Sequence, residues 1–337
     1  MIKTTLNNAE TTLYEDNSCA LSNVLNTMRI SGSMLINEEY APPWGVAIPD
    51  ANKLQKLLKQ SNDVRVVAFH FVKRGHIEIT PEGGEPLIIE AGEMVICFGG
   101  AAHTLSQGDV NQALPVETLL AGGANPFQPN TANKVRTTSL MCGVFMLRNV
   151  SLNPLFSALP AMLHVSALQA SKLHNLSGVL NWINREAEQV TQCTFVIERL
   201  LELLCAEVLR AHLEAASAES SWFFGLRDPI VGRAITLIHA KPGDDWSVKR
   251  LAQGVTMSPS RFAARFAAAL GESPMAYVTK WRMNVAGRLL DESKQGVGEI
   301  AADVGYENVA AFSRTFKRHL GVPPAAWRQR QSVEVVT

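Results

Sequence analysis

Residues 251–283 read LAQGVTMSPSRFAARFAAALGESPMAYVTKWRM, and residues 300–328 read IAADVGYENVAAFSRTFKRHLGVPPAAWR. The two stretches are one unit written twice. Leu251-Ala252 corresponds to Ile300-Ala301 and Val255 to Val304 at an offset of 49. Past the turn the offset is 50, which pairs Phe262 with Phe312, Phe266 with Phe316 and Leu270 with Leu320. The same offset pairs Gly271 with Gly321, Pro274 with Pro324 and Tyr277 with Trp327. A repeat of this period is a repeated supersecondary unit.

Each copy predicts a helix, a tight turn, a second helix and a glycine stop. In the first copy Ser247 caps a short helix ending near Gly254, and Val255-Thr256-Met257 forms the turn. Ser258 then caps the second helix, with Pro259 at its first position, where a missing N–H costs nothing. Phe262, Phe266 and Leu270 fall on one helical face. Gly271 ends the helix because it tolerates a left-handed backbone. In the second copy the short helix is Glu299–Val304, Gly305 makes the turn, and Glu307 or Asn308 is the cap. Phe312, Phe316 and Leu320 are its buried stripe, and Gly321, Pro323 and Pro324 its stop. Between the copies, residues 274–290 form one long amphipathic helix able to hold the units at a fixed separation. This is helix-turn-helix spacing, in which the second helix of each pair enters the major groove. Successive major grooves on one DNA face are about 34 Å apart, which suits two tied units.

These two runs resemble the paired helix-turn-helix motifs of AraC/XylS-type transcription regulators. The resemblance covers about a hundred residues and implies an all-α, DNA-binding C-terminal domain over residues 226–331. It places Ser260, Arg261, Ala264 and Arg265 on the first reading helix. On the second it places Asn308, Val309, Ala310, Ser313 and Arg314, with Lys317 and Arg318 a turn further on. The family often has a long polar, base-reading side chain where Ala264 stands. Alanine offers only a methyl contact to thymine, so base reading by this helix falls to Ser260 and Arg261. Arg265 is either a DNA contact or half of an ion pair within the domain. Arg314 matches the family's base- or phosphate-contacting arginine, and Lys317 and Arg318 fit phosphates.

Charge supports the division. The whole chain is neutral, with 31 basic and 31 acidic residues. Leu226 to Arg330 carries a net +7, leaving −7 on the remainder. A basic head on an acidic body fits a DNA-binding domain joined to a part that does not touch DNA. Length allows two or three domains in 337 residues. The polar start MIKTTLNNAETT has no signal-peptide core, and no apolar run approaches a membrane span. Five cysteines without a Cys-x-x-Cys pair argue against a disulfide framework or a zinc module. The expectation is a cytoplasmic protein.

Upstream, residues 21–29 suit a short helix, followed by strand-like SGSMLINEEY. APPWGVAIP reads as an extended edge. VRVVAFHFVKRGHIEIT alternates and is β-branched, and tight glycine turns then separate LIIE from EMVICF. Short strands on tight turns predict a small antiparallel barrel or jelly roll. Residues 107–134 read as a long mobile loop, and SLMCGVFML as a returning strand. The ordered series PPWG, FHFVKRG, GGEPLIIEAGEMVI, AAHTL, LMCGVF and LFSALPAMLHV resembles the cupin-like sensor domain of one AraC-type subgroup. One departure is CFGG before Ala101, where that family usually has proline. The predicted fold class is therefore α+β. A cupin-like barrel over 1–150 leads to helices over 151–215 and a linker at 216–225, and two helix-turn-helix motifs follow.

A catalytic cupin needs three or four converging metal ligands. His70 and His76 are six residues apart, about 20 Å along one strand, too far for a shared ion. His70 and His103 could meet across neighbouring strands, but only two ligands are then visible. The reading is no metal, no cofactor and no catalytic residues. His70, His103 and Trp44 remain either structural or the lining of an effector pocket. Cys142 is a small buried hydrophobe. Alternatively, as the subgroup resemblance implies, it is an oxidant-responsive thiol, with Cys19 the other candidate. The helices near 176–188 and 193–213 either cover the barrel or make a two-fold contact. The function expected is a DNA-binding transcription regulator under small-molecule or chemical control. Its expected partners are double-stranded DNA, a second copy of the chain and, for an activator, RNA polymerase. The rival is a cupin metalloenzyme carrying a DNA-binding tail.

Overall fold

The computed structural model describes residues 24, 29–61, 64–122, 124–129, 136–148, 150, 152–167, 169, 174–189, 194–215 and 225–332. Cys19, most of the expected helix at 21–29 and nearly all of the expected linker lie outside these residues. Two compact units are present. One joins Arg29–Arg148 to Leu159–Ala215, and the other contains the chain from 216 on with Asn149–Ala158.

The first unit is built on β1 (Arg29–Tyr40), β2 (Trp44–Ile48), α1 (Ala51–Leu57), β3 (Arg65–Arg74) and β4 (His76–Pro81). It continues through β5 (Leu87–Glu90), β6 (Met94–Cys97), β7 (His103–Gln107), β8 (Leu114–Pro115), α2 (Val116–Leu120) and β9 (Thr138–Arg148). Two five-stranded sheets result, in the orders β1-β9-β3-β6-β10 and β5-β4-β7-β2-β8, where β10 is Leu163–Val165. Strand alternation explains the interior. On β3 the side chains of Val66, Ala68, His70 and Val72 point inward, toward Leu140, Cys142 and Val144 of β9 and Ile77 and Ile79 of β4. The odd positions of β3 are also buried, so the strand reads as one apolar run. There Phe69 stacks on Phe145 with ring centroids 4.7 Å apart.

The outer face of the first sheet lies under α5 (Thr194–Ala215), on which α4 (His174–Ala187) packs. Gly32 on β1 permits this approach, because a Cβ there would stand 2.3 Å from Leu201 Cβ on α5. Of the two sequence alternatives for these helices, covering the barrel is therefore realised by one face of the pair. They share a unit with the barrel, so the expected break at 150–151 does not separate them from it.

Two expectations need correction. The segment 107–134 holds β8 and α2 and is anchored by Phe127, whose ring meets that of Tyr40 at 5.6 Å. The Ala41 N–H donates to the Phe127 carbonyl at 2.9 Å. The proline-interrupted stretch after 151 contains not only α3 (Pro154–Ala158) but also β10, which pairs with β6 through Leu163–Ile96.

The C-terminal unit is helical: α6 (Pro229–Ala240), α7 (Val248–Gly254), α8 (Pro259–Leu270), α9 (Pro274–Glu292), α10 (Val297–Asp303), α11 (Val309–Leu320) and α12 (Pro324–Ser332). The repeat governs its packing. Phe262 and Phe266 of α8 tilt together at 5.6 Å, and Phe266 meets Tyr277 edge-on at 5.7 Å. Phe312 and Phe316 of α11 do the same at 5.6 Å, with Trp327 edge-on at 5.7 Å. Gly271 and Gly321 end the two helices at φ 73° and 82°, in the left-handed region that favours glycine. Among the described residues no helix is long and apolar enough to cross a membrane.

Candidate functional site

The two reading helices are held by local chemistry legible in their flanks. Ser247 accepts from the Arg250 N–H at 3.2 Å and starts α7. Ser258 occupies the cap position of α8 but makes no side-chain capping bond, so Pro259 does most to open that helix. In the second unit Glu299 accepts from the Gly296 N–H at 2.6 Å, and Asn308 Oδ1 accepts from the Ala311 N–H at 3.0 Å. Asn308 is thus the cap rather than Glu307. Its side-chain oxygen is committed to the backbone of its own helix, which leaves the amide NH2 to donate outward.

Ser260, Arg261, Ala264 and Arg265 are all exposed on α8. On α11 Val309, Ala310, Arg314, Lys317 and Arg318 are exposed, whereas Ser313 is half-buried. Arg265 is not free. Its Nε and Nη2 reach Asp228 Oδ2 at 2.9 and 2.8 Å, and the same carboxylate caps α6 through the Ile230 and Val231 N–H groups. Of the two readings of Arg265, the structure realises the ion pair. Among the described residues neither Arg261 nor Arg314 has an ion-pair or hydrogen-bond partner, which leaves both guanidinium groups available to a ligand.

Arg282 was not singled out in the sequence, yet it ties the two halves together. Its Nε donates to the Pro242 carbonyl at 2.8 Å and its Nη2 to the Asp244 carbonyl at 2.7 Å, in the lead-in to α7. Its Nη1 donates to the Gly305 carbonyl at 3.3 Å, in the turn of the second motif. One α9 side chain therefore fixes the two motifs relative to each other. A sequence signal was present only as a basic residue beside the buried Trp281, which periodicity does not distinguish from a solvated charge.

In the barrel, His70 and His103 do meet, but not as neighbours in one sheet. β3 and β7 belong to different sheets, and the two rings face each other across the interior with Nε2 atoms 2.8 Å apart. His103 Nδ1 donates to the Ala101 carbonyl at 3.1 Å, and Cys97 Sγ lies 3.8 Å from His103 Nε2. Burial, then the neighbouring His103, holds the His70 imidazole well below its usual pKa. Burial also lowers His103, against the pull of its bond to Ala101. Both rings are neutral near pH 7. Cys97 escaped the sequence reading because EMVICF presents it as one more apolar strand residue.

Trp44 does not join this cluster. In the β2–β7 register Trp44 pairs with Gln107 while Ile48 pairs with His103, four steps or about 13 Å along the strands. Its indole N–H donates to Gln107 Oε1 at 3.2 Å, and that oxygen also accepts from Thr138 Oγ1 at 2.8 Å. Trp44 is latched core, 1% exposed. His76 lies at the solvent-exposed start of β4 and belongs to neither group. Cys142 is buried opposite His70 on β9, and burial, then Cys97, pushes its thiol pKa far up.

The chain matches the Cupin family over residues 20–214 and the helix-turn-helix domain family over residues 251–330. It is 32% identical over 272 residues to an AraC-like transcription regulator of Streptomyces lividans, covering 80% of this chain and 88% of the other. It is 28% identical over 271 residues to the HTH-type transcriptional regulator AlkR of Acinetobacter baylyi, covering 77% and 87%. Among solved structures it is similar to the DNA-binding domain of AdpA in complex with a target DNA. Identity there is 29%, over 32% of this chain and 96% of that one, with a TM-score of 0.31. The fold and the exposed reading helices are those of a DNA-binding transcription regulator. The chain belongs to the AraC-type regulators and carries a cupin-like N-terminal domain.

Proposed function

We propose that α8 and α11 enter adjacent major grooves and that Arg261 and Arg314 make the principal contacts, with Ser260, Ala264, Val309, Ala310 and Ser313 lining the approach. The observation that carries this reading is the pair of unpartnered, exposed guanidinium groups on corresponding helices tied together by Arg282. Lys317 and Arg318 meet phosphates. The small, apolar face around Ala264, Val309 and Ala310 suits thymine methyl groups and groove shape. The protein works in the cytoplasm as a regulator and not as an enzyme, in keeping with its resemblance to transcription regulators.

The N-terminal unit reports a small molecule or chemical signal, and RNA polymerase is the further partner of an activating form. A second copy of the chain docks on the outer face of α4 and α5. There Trp182, Phe195 and Leu203 are 57%, 63% and 44% exposed, although α5 packs on β1 and α4 packs on α5. Large apolar side chains gathered on one helical face mark an interaction surface.

The test is a fragment of residues 221–337. It should fold and bind a selected operator alone, more weakly than the full chain, and log K should fall linearly with log salt at about −0.9 per neutralised phosphate. Salt-independent binding would sink the docking.

A further inference from the structure

We propose that the barrel interior holds one zinc ion, bound by His70 Nε2, His103 Nε2 and Cys97 Sγ, with Cys142 opposite His70 on β9. The three donor atoms come from three strands in two sheets and lie within 4.8 Å of one another, all buried. With metal–nitrogen distances of about 2.0–2.1 Å and metal–sulfur of about 2.3 Å, tetrahedral ligands stand roughly 3.3–3.7 Å apart. The observed separations of 2.8 Å between the histidine nitrogens and 3.8 Å from Cys97 to His103 bracket that range. The third separation, His70 to Cys97, is within 4.8 Å, so side-chain shifts of about 1 Å convert the cluster into a coordination shell. Two imidazoles and a thiolate form a borderline-soft donor set, which favours zinc over magnesium or calcium.

The protons give a second reason. His103 Nδ1 carries its hydrogen, because it donates to the Ala101 carbonyl. That bond orients the ring and turns the Nε2 lone pair inward, as the outer-shell partner of a metal-bound histidine does. In the metal-free chain His70 Nε2 must then donate to His103, which strands His70 Nδ1 as a buried nitrogen with no partner. Around it the interior is aliphatic, with Val66, Ala68, Val72, Val95 and Leu105. A barrel needing only core would lose nothing by an apolar residue at 70. When zinc binds, the Nε2 proton of His70 moves to Nδ1, which still has no partner among the described residues, so the gain lies in the metal–nitrogen bonds. The Cys97 thiol releases its proton to solvent as the zinc–sulfur bond forms, so one proton leaves per ion.

The experiment uses the full chain stripped with a chelator and titrated with zinc chloride in two buffers of different ionisation heat. One equivalent should bind with one proton released, and the unfolding temperature should rise. Cobalt in place of zinc should show a thiolate-to-metal charge-transfer band together with tetrahedral visible bands. Cys97→Ser should abolish the charge-transfer band and weaken binding by more than the roughly tenfold to hundredfold that losing an outer-shell partner costs. Cys205→Ser, which removes a buried thiol on α5, should change neither. If Cys97→Ser does not fold, protection of one thiol from alkylation in the wild-type chain on adding zinc replaces it, with the protected residue read by mass spectrometry. Absence of stoichiometric binding, a persistent band in Cys97→Ser, or protection of a cysteine other than Cys97 would overturn the proposal.

Discussion

Arg265 grips Asp228 from the next helix but one, with Nε and Nη2 both within 2.9 Å of the same carboxylate oxygen. A side chain on the face expected to meet DNA is thereby turned into a strut between α8 and the start of α6. Arg265→Ala should cost about 1 kcal/mol, since the arginine is partly exposed and screened. Operator preference should be unchanged. A denaturant midpoint and a base-substitution binding series read the two effects; a relaxed preference at one base pair would return Arg265 to the reading set.

The same pair sets a pH dependence. Burial works to raise the Asp228 carboxyl, but the bonds from Arg265 and from the Val231 and Ile230 N–H groups outweigh it and hold its pKa below the usual value. A depressed carboxylate contributes stability that is complete above its unfolded value of about 3.9 and is lost as pH falls through the lower folded value. Acid unfolding of the C-terminal fragment should begin at higher pH in Asp228→Asn. An unchanged acid midpoint would remove Asp228 from the account.

Arg314→Ala and Arg261→Ala separate reading from anchoring. If the side chain reaches a guanine edge, its loss costs roughly 1–3 kcal/mol and relaxes the preference at one base pair. If it holds a phosphate, affinity falls evenly and the salt slope shrinks by about one. Both should be measured on a selected and a scrambled operator at two salt concentrations. No change in either variant would mean that α8 and α11 are not the docked helices.

The two turns make an internal control. Thr256 and Gly305 are equivalent positions, and both adopt positive φ, 57° and 80°. Threonine in the left-handed region is strained by roughly 1–2 kcal/mol, so Thr256→Gly should stabilise the domain. Gly305→Ala should destabilise it by about 2 kcal/mol or more, because a Cβ there would stand 2.6 Å from the Gly243 carbonyl and 2.7 Å from Arg282 Nη2. Equal responses at the two sites would show that the turn geometry is wrong.

Trp182→Ser combined with Phe195→Ser should shift the full chain from dimer to monomer in sedimentation. The unfolding transition of the barrel should be nearly unchanged, since both side chains are more than half exposed. A dimer that survives the pair would place the contact elsewhere.

The repeat, its glycine stops and its aromatic stripes were legible from residues 251–328 alone, because helices are specified by neighbours three and four positions apart and by caps at their ends. The face of each reading helix followed from the same period. The strands were legible for a similar reason, but β10 was hidden in a proline-broken stretch that only its pairing with β6 makes regular. What the local pattern could not supply was partnership at long range. The sequence showed Arg265 on a helix face without Asp228, Arg282 without the Gly305 turn, and His70 and His103 without knowledge of which sheet each strand joins. Cys97 looked like core for the same reason. Alternation says that a side chain points inward, but strand order and register decide what stands opposite. Those are set by the packing of two sheets, and no stretch of neighbouring residues encodes them.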